Sequence, residues 1–127
     1  MFIDKDSVIM EGISMGQYLT SVKYGYHKLW ANDSGRNLAG VMSGTLVGIF
    51  PKLTLQFRPL TKEELEIVCP ILDKESQTTS YYDPNKKTQT TMTTYTGDYE
   101  VNNKNIMTGS TKCDSFNCSV ISKRKRV

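Results

Sequence analysis

Residues 51–72 read PKLTLQFRPLTKEELEIVCPIL, and this stretch decides the fold class. Leu53, Leu55 and Phe57 alternate with Lys52, Thr54, Gln56 and Arg58. A period of two marks a strand with one buried face. The period then changes. Leu65, Val68 and Leu72 recur at i, i+3 and i+7, the spacing of one face of a helix. Thr61 is placed to cap that helix, and Glu64, three residues on, to close a capping box. Glu63 and Glu64 suit the positive end of the helix dipole. Pro70 falls inside the pattern and is expected to end or kink the helix near Cys69. A helix over Thr61 to Cys69 spans about two to three turns and depends on packing for its stability.

Working outward, the upstream residues Leu46, Val47, Ile49 and Phe50 are apolar on both faces. Pro51 cannot donate to a ladder, so it belongs at a bulge, an edge or a strand switch. Downstream, Gln77 to Tyr82 and Thr88 to Tyr95 are rich in threonine and tyrosine and read as a hairpin. Between them Asp83, Pro84, Asn85 and Lys86 form a turn: Pro84 presets φ, and Asp83 can accept a hydrogen bond from the turn backbone. Gly97 and Asp98 mark another turn, with a short strand expected around Tyr99 and Val101. The last strand is read as Cys113 to Ile121, with Phe116, Cys118 and Val120 on one face. On the N-terminal side, Tyr18, Thr20, Val22, Tyr24 and Tyr26 keep a period of two, with Gly25 suggesting a bulge or a close approach. Asn32 to Gly35 is a dense turn cluster. One short strand is expected around Ser7 to Met10. The chain of 127 residues reads as a single β-rich domain, with an N-terminal arm over about 1–16 and a basic tail over about 122–127. The fold class is mainly β: a small β-sandwich or barrel with one short flanking α-helix. Leu53, Leu55, Phe57, Leu65, Val68, Phe116 and Val120 are the expected core.

Composition excludes more functions than it suggests. A net charge of +3 is too small to indicate nucleic-acid binding. No apolar run approaches the roughly 18 residues of a transmembrane helix, and Asp4, Lys5 and Asp6 interrupt the stretch where a signal peptide would be apolar. Neither a membrane nor a nucleic acid is an expected partner. One histidine and three cysteines make most metal sites and nucleophile–base pairs hard to assemble. His27 sits among aromatic residues with no orienting acid nearby in sequence. Cys69, Cys113 and Cys118 read as reduced thiols. Glu63, Glu64 and Glu66 read as helix-start and solubility groups rather than a hydrolytic carboxylate pair. The glycines at 35, 40, 44 and 48 fit no phosphate-loop spacing. No catalytic residue, metal or cofactor is expected, and the chain does not read as an enzyme. The run Lys123 to Arg126 reads as a solvated end. The aromatic set Tyr18, Tyr24, Tyr26 and Trp30 reads as half core and half interface. Threonine-rich, half-apolar strands bury little and leave edges that need covering or pairing with another chain. The sequence therefore reads as a subunit.

Three segments carry a resemblance: GISMGQYLTSVKYGYHKLW, then NDSGRNLAGVMSGTLVGIFPKLTLQFRPLTKEELEIVCPILD, then YYDPNKKTQTTMTTYTGDYEV. They include an Asp-x-Gly-Arg-Asn loop (Asp33, Gly35, Arg36, Asn37), a strand entering Arg58-Pro59-Leu60-Thr61, and a Tyr-Asp-Pro hairpin followed by Tyr95-x-Gly97-Asp98. Over most of residues 12–101 this order resembles short virion or prophage proteins encoded among the tail genes of phages that infect Gram-positive bacteria. It is also similar to tail-tube and baseplate-ring subunits. The resemblance implies a virion structural protein, made in the host cytoplasm and placed in the tail as tube, terminator, connector or baseplate component. Its implied partners are copies of itself in a ring and other tail proteins. An assembly chaperone outside the particle, or a carbohydrate-binding module, is the alternative. The interface is expected at Asn32, Asp33, Arg36 and Asn37, at the hairpin tip Asp83, Pro84, Asn85, Lys86 and Lys87, and at Lys123 and Arg124. Arg36 stands out because its planar fork favours paired carboxylates.

Overall fold

Residues 6–31, 35–36, 40 and 42–125 are described by the computed structural model. In chain order the strands are β1 (Val8–Met10), β2 (Ile13–Ser14), β3 (Leu19–Trp30), β4 (Gly35–Arg36), β5 (Met42–Ser43) and β6 (Leu46–Phe57). Helix α1 (Lys62–Leu72) follows, then β7 (Gln77–Asp83), β8 (Thr88–Thr96) and β9 (Phe116–Ser122). A single 3₁₀ turn, Gly16–Tyr18, leads into β3. Seven strands form one antiparallel sheet in the order β2-β1-β7-β8-β9-β6-β3, and β4 pairs only with β5.

The protein is thus mainly β with a single helix, as its patterning implies. The sheet curls around its own core. Tyr24 on β3 and Tyr81 on β7 have ring centroids 6.2 Å apart, though three strands lie between theirs in the sheet order. In a flat sheet those strands would be about 19 Å apart, four spacings of about 4.8 Å. Among the described residues no second layer of strands lies outside this sheet except the β4–β5 ladder. The β part is one curled sheet that closes on its own core.

The alternation at 53–57 gives what it promised: Leu53, Leu55 and Phe57 are buried, and Phe116 stacks on its register partner Phe57 at 4.7 Å. Cys118 and Val120 continue that inner row on β9. Val68, Ile71 and Leu72 close the core from α1, while Leu65 is half-buried against it. Val8, Met10 and Met15 are fully buried, and β1 pairs with β7. The short strand expected around Ser7 to Met10 is thus present as β1, and β2 follows it in the sheet.

Four local expectations are corrected. First, α1 runs through Pro70 to Leu72. Pro70 removes one backbone bond in the last turn, and buried Ile71 and Leu72 hold that turn on the sheet. Second, β9 starts at Phe116. Cys113 instead bonds through its amide to the Leu60 carbonyl (2.9 Å), outside the ladder. Third, Tyr99 and Val101 lie in an irregular segment, 97–115, that wraps α1, with the Tyr99 hydroxyl donating to Asp73 (2.6 Å). Fourth, the register shifts in β3 fall at Leu19/Ser21 and Leu29/Trp30, while Gly25 keeps a regular pairing with Lys52. Pro51 meets its expectation: it lies one residue beyond the last β6–β9 pair, Lys52 with Ile121, where β6 has a neighbour on one side only.

Candidate assembly interface

The strand lengths create the feature of interest. β3 and β6 each have 12 residues, but β9 pairs with β6 only from Lys52 to Phe57. From Tyr26 paired with Pro51 to Trp30 paired with Leu46, the two strands continue as a two-stranded projection. Its tip leaves Leu29, Trp30, Leu46 and Val47 between 40% and 45% exposed. Trp30 and Leu46 are register partners and share one face of the projection, an exposed apolar pair of the kind that marks a contact surface. β3 is also one of the two edge strands of the sheet, with β2 at the other edge, and its outer backbone is unpaired by any described strand.

Two distant segments join the projection. The β7–β8 turn is built as its sequence indicates. Asp83 Oδ1 accepts the Asn85 amide (2.9 Å), and the Lys86 amide donates to the Asp83 carbonyl (3.1 Å). Lys87 takes φ of 57° to close the turn. The C-terminal segment leaves β9 and runs back along β8, with the Lys123 amide donating to the Thr93 carbonyl (2.9 Å). It then crosses β6 at Gly48, where an added Cβ would lie 2.5 Å from the Cβ of Lys125. Only glycine permits that approach. Leu46, Val47, Asn85, Lys86 and Lys125 line one cleft of about 600 Å³ between these three segments.

Of the expected interface residues, the structure brings together the hairpin tip and the basic tail. Asn85, Lys86, Lys87, Lys123 and Arg124 are exposed there. Asp83 is a correction, for it is fully buried. It accepts hydrogen bonds from the hydroxyls of Tyr26 (2.8 Å) and Tyr81 (3.1 Å), so it anchors the tip rather than facing a partner. Pro84 is half-buried beside it. Asn32, Asp33 and Asn37 lie outside the described residues, as does the side chain of Arg36. The backbone of Arg36 pairs with Met42 in the segment joining the two strands of the projection. Residues the motif reading missed are Leu29, Leu46 and Val47, although the two-faced apolar run at 46–50 was their visible signal. Of the aromatic set, Tyr18 is buried, Tyr24 and Tyr26 are half-buried and Trp30 is exposed.

The remaining reactive groups have structural settings. Burial pushes the Tyr24 phenol above its ordinary value, and the charges of Asp83 and Tyr82 add to this. Glu64 closes the capping box on Thr61 and forms an ion pair with Arg58. The Arg58 guanidinium, then the Thr61 amide, hold its carboxyl down at about 2. All three cysteines are unpaired. Burial raises the Cys69 thiol, and lifts that of Cys118 to about 11, which keeps both protonated and weakly nucleophilic. His27 is exposed on the projection. Comparison with known proteins returned no match to a family model, a curated protein or a solved structure.

Proposed function

We propose that this protein is a structural assembly subunit that binds copies of itself and neighbouring proteins, and that its setting is the tail of a phage. One observation carries the first part: a two-stranded projection from a free-edged sheet, tipped by Leu29, Trp30, Leu46 and Val47. An isolated monomer leaves that apolar tip and that edge in water, whereas a neighbour covers both by strand addition and side-chain insertion. The phage setting rests on the resemblance of the three segments quoted above and on the agreement of its expected fold class with the one observed.

The test has two readings. Sedimentation of the purified protein at micromolar concentration is expected to show a defined oligomer, and a strictly monomeric profile overturns the assembly reading. Mass spectrometry of purified phage particles is expected to find the chain at a fixed copy number. Its presence in infected cells but absence from finished particles makes it a chaperone instead.

A further inference from the structure

The fold separates charge into two poles. At the turn end of the sheet Lys86, Lys87, Lys123, Arg124 and Lys125 are exposed around the apolar projection, and the only carboxylate built into that turn, Asp83, is buried. Among the described residues no ion pair engages any of the five cations. At the opposite end, where α1 finishes and β8 leaves the sheet, Asp73, Glu75, Asp98 and Glu100 surround a cleft of about 810 Å³ with Tyr95 on its wall. Lys74, the one cation there, points its ammonium to Glu11 at 3.4 Å. β8 itself connects the poles. The rise from Thr88 to Thr96, about 3.4 Å per residue, puts about 27 Å between the turn lysines Lys86 and Lys87 and the acidic cleft, while Lys123, opposite Thr93, lies about 10 Å along the strand from Thr96. For the turn lysines that far exceeds the screening length of about 8 Å at physiological salt, so they and the cleft carboxylates do not neutralise one another within one molecule.

Resting on the assembly reading, we propose that the poles are the two halves of one head-to-tail contact. The projection and basic rim of one copy dock on the acidic cleft of the next. The occupant is a second copy because the chain carries both complementary surfaces, of opposite sign and each unneutralised. The aromatic and aliphatic tip meets the exposed ring of Tyr95, and the surrounding lysines meet the carboxylates. A contact between two different faces is heterologous, so repetition closes a ring or grows a filament, in contrast to the two-fold dimer that a projection-to-projection contact gives.

Charge reversal at each pole tests this. The variants are Lys86→Glu with Arg124→Glu, and Asp98→Lys with Glu100→Lys, all at exposed positions. Thermal melting within a few degrees of the parent certifies the fold of each. Alone, each variant is expected to self-associate at least about tenfold more weakly than the parent, because like charges then face each other. Mixed in equal amounts, they are expected to recover association to within about threefold, because each contact between unlike variants is again complementary. Parent association is also expected to weaken as salt rises. If the parent is oligomeric but the Asp98→Lys, Glu100→Lys variant associates unchanged, the head-to-tail contact is overturned while the assembly reading survives. A parent that is monomeric overturns both. A parent that instead sediments with phosphatidylserine vesicles, unaffected by the cleft variant, makes the basic pole a membrane surface and overturns the contact.

Discussion

Glu64 shows how one side chain serves several purposes at once. Its carboxylate accepts from the Thr61 amide at 3.0 Å, completes the capping box and pairs with Arg58. Arg58 in turn donates to the Gln17 carbonyl (3.0 Å), so the pair ties the start of α1 to the entry of β3. The carboxyl titrates near 2 in the folded protein against 4.5 for the free group. A depressed carboxyl contributes stability that is fully present above its unfolded value and is lost as pH falls through the folded one. Unfolding free energy from urea titrations is therefore expected to fall between about pH 5 and about pH 2 more steeply in the parent than in Glu64→Gln. The glutamine retains the cap and loses the ion pair, so equal slopes would remove Glu64 from the acid response. The capping box was legible in the sequence because its partners are three residues apart. The role of Asp83 was only half legible. Its bond to Asn85 is local, but Tyr26, which donates to it, lies 57 residues away.

At the scale of elements, the end of α1 is the place where local signals misled. Pro70 marks a stop, yet the helix continues because its last turn has partners that no local pattern reveals. The buried Gln77 amide donates to the carbonyls of Ile71 (3.0 Å) and Lys74 (3.1 Å), and Thr96 Oγ1 donates to that of Leu72 (2.6 Å). Strands β7 and β8 thus satisfy the carbonyls that every helix leaves open at its C-terminus. Gln77→Leu keeps the volume and removes the donor. It is expected to cost about 1–3 kcal/mol in urea unfolding, with faster amide exchange in 71–74. An unchanged midpoint would mean that water replaces the amide without loss. The start of β9 has the same lesson in reverse. The strand was expected from Cys113, but that amide is taken by Leu60, so the ladder begins only at Phe116.

For the whole molecule, what matters is which segments end up together. The tip of the β3–β6 projection, the β7–β8 turn and the chain after β9 meet at one pole, although the sequence places them tens of residues apart. Trp30→Ser with Leu46→Ser is expected to weaken self-association by more than about tenfold in sedimentation. The monomer should stay within about 0.5 kcal/mol of the parent in urea unfolding, since these side chains contribute little to the core. Parent-like association of that variant would clear the projection of any part in assembly. By itself the sequence determined the strand at 53–57, the capped helix, the Asp-Pro turn and the mainly β class. Each of these is written in spacings of one to four residues, and backbone geometry reads such spacings directly. Only the tertiary structure decided that the sheet curls, that Asp83 turns inward, that α1 outlasts its proline and that basic and acidic groups part to opposite ends. Those outcomes depend on which strands become neighbours, and the cooperative burial of one shared core sets that for all strands together.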